Sequence, residues 1–189
     1  MTTRNLTFLK SAAGLLHLAL LSTLVMAAPI LASATDFDHN GHNVPSKLVQ
    51  TVREYTAQFI NVNSLKGTGY APLFGCVSGP DHGAMGIHYL NLGLVGDGML
   101  DARYPEALIY EPVGNARRLV GVEYIVDSVT WLNAHDNAPP QLEGQDFQFV
   151  DAPNRFGIPS FFELHVWAWR DNPNGAYVDW NNNVTCEGQ

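Results

Sequence analysis

Between residues 161 and 169 the sequence FFELHVWAW alternates without a break. Phe162, Leu164, Val166 and Ala168 fall on one side, and Glu163, His165, Trp167 and Trp169 on the other. A period of two marks a β-strand, whose successive side chains leave opposite faces. Earlier runs share that period: residues 85–91, 106–111, 118–126 and 146–150, separated by clusters of Gly, Pro, Asn and Asp. They predict an antiparallel β structure for the second half of the chain.

Gly114-Asn115 is a two-residue hairpin signal between two of these strands. With that loop, Ala107, Ile109 and Glu111 face Val122, Val120 and Arg118, an apolar face closed by one ion pair. The same register sets Glu106 directly across from Glu123, a like-charge pairing that needs a cation or a proton between its members.

Upstream, Leu48, Val52, Tyr55, Phe59 and Val62 recur at spacings of three and four and form one apolar stripe. Pro45 and Ser46 suit the start of a helix over residues 46–66, and Gly67 and Gly69 its end. The expected fold is therefore α+β: an N-terminal helix packed on a curved antiparallel β-sheet or partial β-barrel, one domain over residues 46–189.

The first 34 residues have a different character. Arg4 and Lys10 precede an apolar run that ends in the small residues Ala32, Ser33 and Ala34, the pattern of a secretory signal peptide. Residues 35–45 then read as a flexible polar leader. Ten Lys and Arg stand against 18 Asp and Glu, a net charge of −8; removal of Arg4 and Lys10 with the signal segment takes it to −10. Such a surface, with no basic stripe, excludes a nucleic-acid partner. No second long apolar segment follows, so no stable membrane insertion is expected after cleavage, and the protein is read as periplasmic or secreted. Its two cysteines, Cys76 and Cys186, are expected to form a disulfide, which persists in an oxidising compartment.

Several residues carry potential chemistry. Glu163 and His165 lie two apart on one strand face, so both can lean onto one ion. His88 shares a face with Gly86 and Leu90, and Gly86 is expected to leave room above the sheet. Together His88, Glu106, Glu123, Glu163 and His165 offer imidazole and carboxylate ligands suited to a divalent transition metal: zinc, manganese, iron or copper. The alternative is two half-buried sheet histidines with glutamates at the solvent rim. Tyr110, Trp167 and Trp169, with Tyr177 and Trp180, form a second candidate, an aromatic platform for a carbohydrate or other small ligand. Asp36, Asp38, Asn40 and Gly41 match half of a calcium loop, but Lys47 occupies the place of its closing glutamate. Nucleophile triads, phosphate loops and dinucleotide fingerprints are absent, so no catalytic residue is assigned.

The blocks GCVSGPDHGAMGIHYLN, PEALIYEP and ELHVWAW resemble a family of uncharacterised exported bacterial proteins. The resemblance implies export and a single domain, and carries no activity. A fainter likeness to a cupin-type barrel rests on short strands bearing His and Glu; the spacing of two histidines one residue apart followed by a glutamate is missing. Three function classes follow: a metal-binding protein or small metal-dependent enzyme, a module binding a small molecule, and a structural or interaction protein. Whether the chain is an enzyme, and its oligomeric state, are left open at this level.

Overall fold

The computed structural model describes residues 35–37, 43–187 and 189. The proposed signal segment lies outside them, as do Asp38, His39, Asn40, Gly41 and His42 of the leader. Strands β1 (Thr35–Phe37) and β2 (Asn43–Pro45) pair antiparallel. They precede helix α1 (Lys47–Thr56), at whose start the Ser46 hydroxyl accepts from the Val49 N–H. That bond satisfies one of the donors a helix leaves open at its N-terminus.

α1 buries Leu48, Val49, Val52 and Thr56 and is shorter than the expected 46–66. Two 3-10 turns, Ala57–Phe59 and Val62–Leu65, continue the path. The reason is local: the Asn61 side chain accepts from the Asn63 N–H, and the Ser64 hydroxyl donates to the carbonyls of Gln58 and Asn61. Such bonds compete with the regular helical ladder.

The remaining elements are β3 (Tyr70–Ser78), β4 (Ala84–Asn91), α2 (Leu92–Val95), β5 (Ala107–Val113), β6 (Ala116–Asp127), α3 (Ser128–Ala134), β7 (Gln141–Leu142), β8 (Gln145–Asp146), β9 (Gln148–Val150) and β10 (Phe161–Val166). Six of them build one antiparallel sheet in the order β3-β4-β5-β6-β10-β9, while β7 and β8 form a small ribbon. The α+β class is as expected. The sheet is open, with β3 and β9 as its edges, and does not close into a barrel of the cupin type. No helix among the described residues is long and apolar enough to cross a membrane.

One face of the sheet carries Leu108, Tyr110, Val122, Tyr124, Leu164 and Val166 against the buried stripe of α1. This is the main core. On the other face, smaller apolar groups form around Ile109, Val120 and Trp167 and around Ala107, Ile125 and Phe161. The buried polar cluster described below shares that second face.

The β5–β6 hairpin turns where Gly114-Asn115 predicts, and Glu111 pairs with Arg118 and Tyr110 with Leu119. The register then slips: Ile109 faces Gly121, Leu108 faces Val122 and Ala107 faces Glu123. Val120 is the extra residue of a β-bulge, and beyond it every β6 side chain changes face relative to β5. The expected pairing of Glu106 with Glu123 is thereby broken.

β3 escapes a simple reading of period two because it contains Pro72 and Gly75. As an edge strand it tolerates a proline, and a second irregularity between Leu73 and Cys76 accommodates Phe74 (φ 65°) and Gly75 (φ 67°). α3 was likewise not anticipated; its N-cap is Asp127, which accepts from the Thr130 N–H.

Candidate metal centre

Three strands meet at the centre. The β6–β10 register sets His165 directly opposite Glu123, so both side chains leave the same face. β4 contributes His88, paired with Ile109, which in turn faces Gly121. Glu163 lies two residues before His165 and shares its face, as the alternation of 161–169 predicts.

His88 Nε2 lies 3.4 Å from Glu123 Oε2. The His88 and His165 rings stand perpendicular with centroids 5.9 Å apart, and Trp167 lies nearly parallel to His165 at 6.0 Å. His165 Nδ1 is 3.6 Å from Asp179 Oδ1. One ligand atom each from His88, Glu123 and His165 lie within 4.8 Å of one another, and the same holds for Glu163, His165 and Asp179. His165 belongs to both sets.

Asp179 was not a sequence candidate. It sits in the segment after β10 and reaches the centre because that segment folds back over the sheet. Trp167 Nε1 donates to the Val178 carbonyl, the Trp167 N–H to the Ala176 carbonyl, and Gln148 Nε2 to Asp179 Oδ1. No periodicity marks a ligand delivered by a coil, so the sequence carries no signal for it.

All four strand residues are buried. Burial disfavours the charged form of each group. It pushes His88 down to about 4 and, with neighbouring His88, holds His165 well below the usual imidazole range. The same effect raises Glu163 to about 7 and Asp179 above its ordinary value. Glu123 is pushed well up, first by burial and then by the Glu163 carboxyl beside it. Both imidazoles are therefore neutral at pH 7 and present lone pairs, the form in which histidine binds metals.

Among the described residues, neither nitrogen of His165 has a hydrogen-bond partner, although the ring is fully buried. A buried polar atom left unpaired costs about 1–3 kcal/mol. Among the described residues, the Lys and Arg ion pairs lie elsewhere, joining Lys47 to Glu143, Arg103 to Asp101 and Arg118 to Glu111. The cluster combines acids and unpartnered imidazole without a protein cation, and these buried groups could hold a metal ion.

The other expected residues are placed differently. Glu106 is buried but joins neither set; its Oε2 accepts from the Ile125 N–H at 3.1 Å, serving β6 just beyond the end of β5. Gly86 does not open space above the sheet: a Cβ there would lie 2.8 Å from the Tyr110 carbonyl, so the missing side chain admits the β5 backbone. Tyr110 is fully buried on the α1 side and donates to the Phe59 carbonyl.

Trp167 is buried beside the centre, whereas Trp169 turns to the opposite side and donates from Nε1 to Thr56 Oγ1. The cause is that β10 ends at Val166, where the alternation stops governing direction. Tyr177 contacts Ser46, and Arg155 lies over the Trp180 ring. These rings do not assemble into an open aromatic platform. Cys76 and Cys186 are disulfide-bonded as expected.

Compared with family models, curated proteins and solved structures, the chain gives no match.

Proposed function

We propose that this protein binds one divalent transition-metal ion through His88, Glu123 and His165, with Glu163 and Asp179 as neighbouring carboxylates. The observation that carries the reading is the buried His165 ring, both of whose nitrogens lack partners within a cluster of acids. An ion supplies the missing partner and favours ionised carboxylates where burial alone disfavours them. Asp179, near Nδ1, is suited to orient the ring, as carboxylates commonly do for metal-bound histidines. Two imidazoles with one carboxylate form a donor set taken by zinc and by ferrous iron. We further read the chain as exported, in keeping with the disulfide, its apolar signal segment and its resemblance to exported bacterial proteins.

The test is elemental analysis of the untagged, exported protein beside the double variant His88→Ala/His165→Ala, with circular dichroism as a check on folding. Near-stoichiometric metal in the parent and none in a folded variant is the expected result. Equal metal in both overturns the ligand assignment. No metal in the parent, even after incubation with zinc, copper, manganese and iron salts, overturns the function.

A further inference from the structure

A cavity of about 260 Å³ opens on the same face of the sheet, and His88 and Glu123 belong to its lining. Its walls are apolar: Leu73 and Phe74 from β3, Leu92 from α2, Phe156 and Ile158 from the β9–β10 connection, and Phe161 from β10. Several of these side chains are also open to solvent, Leu92 at 66% and Phe74 at 47%. A cluster of exposed apolar side chains around a concave site marks a place where something binds. Phe74 strengthens the case, since a bulky residue at φ 65° is held in a conformation that is rarely adopted without a reason.

The polar groups of the lining are few. They are His88, Glu123 and Asp127, and the Asp127 carboxylate already accepts from the Thr130 N–H at the start of α3. Among the described residues, no Lys or Arg lines the cavity. An anionic ligand head would thus find no cationic side chain, and its only counter-charge would be an ion held by His88 and Glu123.

We infer that this pocket binds a small amphipathic carboxylic acid, its carboxylate directed to the metal at His88 and Glu123 and its hydrocarbon part against Phe74, Leu92 and Ile158. The inference rests on the metal-binding reading above. At about 30 Å³ per water-sized group, the cavity accommodates a ligand of about nine such groups. That size fits a medium-chain or aryl carboxylate. A three-residue ligand set leaves coordination positions for a carboxylate oxygen.

The experiment is calorimetric titration of the exported protein with octanoate, in ion-loaded and chelator-stripped forms, with octylamine and octanol as comparison probes. Elemental analysis of each sample accompanies it. Octanoate is expected to bind the loaded form and to bind the stripped form at least about tenfold more weakly. The variant Phe74→Asp places a like charge at the mouth and suits the left-handed backbone there. It is expected to retain the ion and lose octanoate affinity by at least about tenfold. An ion-loaded protein that ignores octanoate, or one that binds octylamine or octanol equally well with and without the ion while octanoate shows no ion dependence, overturns this inference alone. A chain that takes up no ion overturns both readings.

Discussion

Glu106 illustrates how a single carboxyl can be buried for structural reasons beside a site that uses carboxylates for chemistry. Its side chain accepts a backbone N–H where β5 has run out, and burial pushes it up to about 8 against the lowering effect of that hydrogen bond. A folded-state value above the unfolded one means that the folded protein holds the proton more tightly. The associated stability is therefore full below the ordinary glutamate range, near pH 4.5, and is lost as pH rises toward 8. At about 1.4 kcal/mol per pH unit, a slope that flattens near the folded value, this group accounts for a loss of about 2 kcal/mol between pH 6 and pH 8. Glu106→Gln keeps an acceptor for Ile125 and removes the ionisation. Urea unfolding across that pH range is expected to show a flatter profile for the variant; parallel profiles would contradict the burial account.

At the scale of elements, the bulge in β6 decides which residues meet. Beyond Val120 the strand presents Glu123 to the face of His88 and His165, and without the extra residue the hairpin register would turn Glu123 toward α1. Beside the bulge, the close approach of β10 depends on Gly121, where a Cβ would lie 2.8 Å from the Val166 carbonyl and 3.2 Å from the Trp167 ring. Gly121→Ala forces β10 to shift beside His165 and is expected to cost about 2 kcal/mol, in the range of overpacked cores. Chemical denaturation measures the loss, and wild-type stability in this variant would show that β10 can move freely. The alternation of 161–169 made the shared face of Glu163 and His165 legible from sequence. A bulge leaves no comparable mark, because one inserted residue disturbs neither apolar content nor turn signals.

For the molecule as a whole, the disulfide binds the end of the chain to the edge strand. Cys76 and Cys186 are 110 residues apart, and Val184 packs close by against the sheet with Trp167, Ile109 and Val120. Closing a loop of that length is worth about 4–5 kcal/mol on the chain-entropy model. Cys76→Ser/Cys186→Ser is expected to lose stability of that order, read as a lower melting temperature, and the parent should respond similarly to a reductant. If neither treatment lowers it, the tail is held by packing alone. Because the segment containing Asp179 lies between β10 and Cys186, the tether also limits how far that carboxylate can move from His165.

By itself the sequence determined the period of β4, β5 and β10, the hairpin turn, the apolar stripe of α1 and the pairing of the two cysteines. These are properties of short segments or of simple counting. Which face Glu123 takes, the arrival of Asp179, the removal of Glu106, Tyr110 and Trp169 from the site, and the apolar pocket beside His88 were decided by tertiary structure. Each depends on a register slip, a strand ending or a coil folding back, events set by packing between segments far apart in the chain.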